Sequence, residues 1–173
     1  QFLGTHERTN LSFEVLPCSR GEKWPRTHQL LEDHLGGQDG GAVVFVASRK
    51  GAEEVSEFLV GQGWLCRHFH AGLEPNDKKD IQDDFKAGRL RIIVATNAFG
   101  MGVDKSDIRL VVHADIPGSL ENYLQEAGRA GRDQDAARCV LLYDSQDIET
   151  QFGLCERSKL SLRDIQQILR KLR

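Results

Sequence analysis

Ala42-Val43-Val44-Phe45-Val46-Ala47-Ser48-Arg49-Lys50 runs through six apolar residues and then breaks into a hydroxyl and two cations. An apolar run of this length without polar alternation reads as a strand covered on both faces, as in a parallel sheet. Just beyond it Ala52, Val55, Phe58 and Leu59 recur at helical spacing, so the strand opens directly into an amphipathic helix. The same unit repeats outward in both directions. Leu11–Leu16, Leu65–Phe69, Arg91–Ala95, Leu110–His113 and Cys139–Tyr143 are further candidate strands, mostly bounded by Gly, Asp or Pro. Ile81 and Phe85, four apart, and the stripe Leu120, Tyr123, Leu124 and Ala127 mark helices between them. Alternating strands and helices predict an α/β domain whose mostly parallel central sheet is covered on both faces. Gly36–Gly41 reads as an exposed, flexible connection before a central strand. After Tyr143-Asp144 the pattern turns helical again, through Leu162, Ile165, Leu169 and Leu172, with Ser161 as a cap. The expected organisation is one α/β lobe over 1–150 and a helical extension over 151–173.

The bulk numbers fit that picture. A chain of 173 residues suits one such domain, and 39% apolar content supplies a core. Nothing approaches the roughly 18–20 apolar residues of a membrane span. The chain starts at Gln1 without Met or a signal-peptide layout and stops at Arg173 inside an amphipathic pattern; both ends read as cut, so a piece of a longer protein is expected, the piece itself monomeric. Cys18, Cys66, Cys139 and Cys155 form no C-x-x-C pair, which argues for reduced thiols and against a zinc site within this chain. A net charge of −3 and pI near 6.1 are unlike a dedicated nucleic-acid binder. Any such contact has to be local and shared with another element.

Three segments exceed what a plain α/β domain needs. At the carboxyl end of a parallel strand, Ser48 and the first amides of the following helix face the ligand crevice; alone, that signal is no stronger than a solvated turn. His68-Phe69-His70-Ala71-Gly72-Leu73 places two His at a spacing of two, but a strand points its residues alternately and no third ligand follows in sequence, so no metal is expected. Gly72 lets a backbone come close. The third segment joins Ile92–Lys105 to Gln125-Glu126-Ala127-Gly128-Arg129-Ala130-Gly131-Arg132-Asp133. Read as helix, Gly128 and Gly131 each cost about 1 kcal/mol relative to Ala. Arg129 and Arg132 at i, i+3 would then share one crowded helix face. Two planar guanidinium forks suit a multiply charged phosphate better than a surface ion pair.

Gly100-Met101-Gly102-Val103-Asp104-Lys105-Ser106-Asp107-Ile108-Arg109, followed by Gln125–Asp133, resembles motifs V and VI of the RecQ family of superfamily 2 DNA helicases. Val43–Lys50 resembles its motif IV, and Phe69–Leu73 its aromatic-His-Ala-Gly-Leu hallmark. The likeness extends from Arg8 to Asp144. It implies a RecA-like three-layer lobe with C-terminal helices, the second motor lobe of an ATP-dependent 3′-to-5′ DNA helicase of repair and recombination. Arg132, with Arg129, is then implied to act as an arginine finger on ATP and Mg2+ held mainly by a first RecA-like lobe of the same protein. Asp104, Gln125 and Gly102 are implied to contact or couple to the nucleotide. Ser48, Arg49, His70, Gly72, Thr96 and Asn97 are implied to line a track for single-stranded or duplex DNA. The compartment implied is cytoplasm and nucleoid in a bacterium or the nucleus in a eukaryote.

Ser106 stands where the family usually has Pro, and the family's four-cysteine zinc cluster is not in this sequence. Nor does G-x-x-x-x-G-K-[ST] occur, so a phosphate-cradling loop is lacking and this stretch by itself is expected to be inactive. Glu32-Asp33-His34 has the wrong order for an acidic helicase box. Two rivals stand beside the RecQ reading. A DEAD-box RNA helicase lobe would carry Thr-Asp and Arg-Gly-x-Asp where Thr96-Asn97 and Met101-Gly102-Val103-Asp104 stand. A non-catalytic RecA-like scaffold would not need both Arg129 and Arg132.

Overall fold

The computed structural model describes residues 10–96, 105–117 and 120–144. In chain order these form β1 (Leu11–Pro17), a 3-10 turn (Arg20–Glu22), α1 (Lys23–Leu35), β2 (Gly41–Phe45), α2 (Arg49–Gly61), β3 (Cys66–Phe69), α3 (Pro75–Ala87), β4 (Ile92–Ala95), β5 (Ile108–His113), α4 (Leu120–Ala127) and β6 (Ala137–Tyr143). Asn97, Gly102, Asp104 and the helical extension expected over 151–173 lie outside the described residues.

All six strands expected from the sequence are present, in the order β1-β6-β5-β2-β4-β3, and every pairing is parallel. Alternate residues of each strand feed two separate cores. Val43, Phe45, Ile93, Ala95, Val111, Cys139 and Leu141 pack with Ile81 and Phe85 of α3 and Tyr123 and Ala127 of α4. Ala42, Val44, Ile92, Val94, Leu110, Val112, Val140 and Leu142 pack with Leu30, Leu31 and Leu35 of α1 and Ala52, Val55 and Leu59 of α2. The result is three layers, α1 and α2 on one face and α3 and α4 on the other. No residue from Ala42 to Val44 or from Ile92 to Ala95 exposes measurable surface, which is why these strands lack polar alternation.

Cys18, Cys66 and Cys139 are buried free thiols, and burial pushes the Cys66 thiol up to about 12. The Gly36–Gly41 connection is exposed over residues 36–39, as expected, but it is tied down. Arg91 donates from its guanidinium to the carbonyls of Leu35 (3.3 Å), Gln38 (2.7 Å) and Gly40 (2.9 Å). Among the described residues no helix is long and apolar enough to cross a membrane.

Candidate functional site

Two groups of the residues singled out above lie at opposite ends of the strands. The first gathers at the carboxyl edge. Phe45, Phe69 and Ala95, the last residues of β2, β3 and β4, stand in register across the sheet. The residues just beyond them, Val46, His70 and Thr96, therefore form one row, with Ser48 two residues further on at the head of α2. Ser48 caps α2, its hydroxyl accepting from the Gly51 N–H at 3.0 Å. Arg49, the first residue of α2, is exposed at this edge. Its guanidinium comes close enough to Gly72 that a Cβ there would meet Nη1 at 3.2 Å and the His70 ring at 3.0 Å. Gly72 is thus a close approach, as its identity suggested. Thr96 is buried, and its N–H donates to the Phe69 carbonyl at 3.3 Å.

The ring of His70 is buried and occupied at both nitrogens. Nδ1 accepts the Gly72 N–H at 3.0 Å, which leaves the proton on Nε2 to be donated to Glu53 of α2 at 2.8 Å. That hydrogen bond, ahead of the opposing effect of burial, holds the Glu53 carboxyl below its ordinary range. His68 stacks on His70 with ring centroids 5.3 Å apart, and burial lowers its imidazole toward the neutral form. Two expectations are corrected here. Strand alternation does not separate the two His, because residues two apart share a face, and their rings lie together although β3 ends at Phe69 and His70 has left it. A third metal-type ligand also exists, supplied by Glu53 from another element, and the three ligand atoms lie within 4.8 Å of one another. A cation could take this trio only by displacing one of the two hydrogen bonds of His70.

Asp115, just past β5, completes this edge: its carboxylate accepts the Ala47 N–H at 2.7 Å and lies 3.7 Å from Lys23 Nζ. It fixes the turn that carries Ser48. Adjacent β2 and β5 send their chains away in opposite directions, β2 toward β3 and β5 toward β6, so their carboxyl ends form the crevice where open α/β sheets take ligands.

The second group lies at the amino edge. α4 begins beyond the carboxyl end of β5 and returns along the sheet, carrying exposed Gln125 near its end. Here the structure corrects the helical reading of Gly128–Arg132, for α4 stops at Ala127. The next amides bond three residues back, Arg129 to Glu126 (3.3 Å) and Ala130 to Ala127 (3.1 Å), and Gly131 turns left-handed at φ 58°. Arg129 and Arg132 therefore do not share a helix face; they sit on the turn that closes it. Gly131 is required there, because a Cβ would stand 2.5 Å from Asn10 Nδ2 and 3.0 Å from the Asp135 carbonyl.

This turn is held on several sides. Gly131 N–H donates to Ile108 O (2.9 Å) and Asp133 N–H to Ser106 O (3.0 Å). The Asn10 amide donates to Gly131 O (2.7 Å) and Asp135 O (2.9 Å), and the Arg109 guanidinium pairs with Asp133. Arg132 is exposed and Arg129 half-buried. Burial first, then the charge of Arg132, pulls the Arg129 guanidinium below its ordinary value, against Glu126. Glu126 in turn meets His113 Nε2 at 3.0 Å, and that imidazole stacks on Phe45. At Asp133 burial works upward, but hydrogen bonds from Arg109 and the Asp135 N–H outweigh it and hold the carboxyl low. Asn10, Glu53, Arg109 and Asp115 were not legible as site residues, because their partners lie far away in sequence.

The pattern described as Helicase conserved C-terminal domain matches residues 22–134. The chain belongs to that family. Within this helicase family it resembles ATP-dependent DNA helicase RecQ of Bacillus subtilis, 40% identical over 166 residues, 96% of this chain and 27% of the relative. It is 38% identical to ATP-dependent DNA helicase Q1 of Mus musculus over 149 residues, 85% of this chain and 23% of the relative. The RecQ resemblance seen in motifs V and VI holds across most of the sequence, and the chain spans about a quarter of the length of these relatives. The Escherichia coli DEAD-box protein SrmB shares the fold, with TM-score 0.70 at 21% identity over 87% of this chain and 86% of that one. A DEAD-box protein of Methanococcus jannaschii does so with TM-score 0.72 at 20% identity, covering 90% and 42%. At such identities the likeness is one of fold, that of a RecA-like lobe.

Proposed function

We propose that this helicase C-terminal lobe works within a longer ATP-dependent DNA helicase, closing on a first RecA-like lobe around ATP. Arg132, assisted by Arg129, stabilises the charge that develops on the transferred phosphoryl group. The carboxyl edge, with Ser48, Arg49, His70, Gly72 and Thr96, grips the backbone of single-stranded DNA; Asn97 extends that track. Asp104, Gln125 and Gly102 serve nucleotide contact and coupling, and Mg2+ belongs with the first lobe. The 3′-to-5′ direction comes from the likeness to RecQ. The observation that carries this reading is the turn 128–133, which presents two guanidinium groups on a backbone pinned to β1, β5 and the residues beside them.

Two outcomes follow. The chain on its own, having no phosphate-cradling loop, should hydrolyse ATP no faster than buffer; turnover that survives repurification and disappears in Arg132→Ala would refute this. In the full-length protein, Arg49→Ala combined with His70→Ala should weaken binding of a labelled oligo-dT about ten-fold at low salt. The log–log salt slope should flatten by about 0.7 for each phosphate contact removed. Binding and slope unchanged in the double variant would mean that the track runs over another face.

A further inference from the structure

Arg109 is a charged side chain on a buried strand, 8% exposed, and burying an ion pair seldom adds stability over a well-packed apolar substitute. Its partners explain its presence otherwise. The guanidinium donates to the Asp133 carboxylate, to the Ala136 carbonyl at 2.8 Å and to the Asp107 carbonyl at 3.4 Å. Asp133 is the residue after Arg132, and Ala136 closes the same loop. Asp133 also accepts the Asp135 N–H at 3.1 Å on the oxygen that Arg109 engages, so one contact sets both the side chain and the local backbone. On the other side of Arg132, Gly131 is fixed by Ile108 and by Asn10. Room for the Arg109 stem comes from Gly40, where a Cβ would meet Arg109 Cγ at 2.7 Å.

We propose that Arg109 is a positioning residue for Arg132, acting through Asp133 to hold the finger's backbone at the angle from which it reaches the nucleotide. This rests on the reading of Arg132 as a finger. Misplacing a catalytic group by about 1 Å can cost on the order of 100-fold in rate, far more than the loss of one ion pair would suggest.

The test uses the full-length protein, with Asp133→Asn as the mild variant and Arg109→Lys as the second, each made also in the Arg132→Ala background. With saturating single-stranded DNA, each single variant should lose about ten- to thirty-fold in kcat. Binding of a fluorescent ATP analogue should stay within two-fold, and the melting temperature within a few degrees. A purely structural role would not give that split between kcat and binding. With Arg132 already removed, Asp133→Asn should change turnover less than two-fold, because a positioning residue has nothing left to position. Normal turnover in Asp133→Asn and Arg109→Lys, or an undiminished further loss beyond Arg132→Ala, would overturn the proposal while the finger stands. Full turnover in Arg132→Ala itself would remove the finger and the proposal together.

Discussion

Arg132→Ala in the full-length protein should lower DNA-stimulated ATP turnover by roughly 10³-fold or more and abolish unwinding, while ATP affinity changes only a few-fold. The asymmetry follows from where the residue acts. On the proposed reading a finger meets charge that is greatest in the transition state, whereas ground-state binding would rest on the phosphate loop of the first lobe. Arg132→Lys should rescue little, since an ammonium on a flexible stem does not reproduce a planar fork. Arg129→Ala should show a smaller and mixed effect, because that side chain is half-buried against Glu126. The measurement is paired: analogue binding by fluorescence, and turnover at saturating single-stranded DNA. Near-normal turnover in Arg132→Ala, or a loss explained wholly by failed ATP binding, would show the assignment to be wrong.

Gly131→Ala should unfold this chain more readily in urea, by about 2–4 kcal/mol. A left-handed backbone costs an L-residue about 1–2 kcal/mol, and displacing the Asn10 amide forfeits hydrogen bonds worth about 1 kcal/mol each. The neighbouring atoms, the Asp135 carbonyl among them, belong to a loop pinned elsewhere and have little room to yield. Gly61→Ala is the control. Gly61 ends α2, no atom lies within 4 Å of its added Cβ, and its φ is ordinary. That change should be neutral or stabilising by up to about 1 kcal/mol. Equal losses in the two variants would mean that the 128–136 turn is not built as described.

The sheet was legible because its central strands β2, β4 and β5 are buried on both faces, so hydrophobic runs such as Ala42–Val46 and Ile92–Ala95 state their environment outright. Ser48 and His70 were legible by position, because parallel register aligns the strand ends that they follow, whereas Thr96 was implied by the likeness to RecQ. The Arg129–Arg132 geometry was misread because an i, i+3 spacing survives in a tightened turn, and only the φ of Gly131 separates turn from helix. Arg109 stood just ahead of the strand expected over Leu110–His113, with nothing in the sequence to set it apart. Its meaning comes from Asp133, and Asn10's from Gly131, pairs that the fold brings together across 24 and 121 positions.

β5 runs from the Arg109 anchor at one edge of the sheet to His113 and the Asp115 turn at the other, about 20 Å for six residues. Its side chains are buried throughout and packed between two helical layers. A close-packed strand of this kind can be neither stretched nor compressed by the forces of a binding event. The lobe is therefore a body of fixed length, and on the proposed reading one of its ends meets the nucleotide and the other the nucleic acid. On that reading, what one end feels would reach the other as a tilt of the whole body, and the angle through which the lobe swings would set the size of a translocation step.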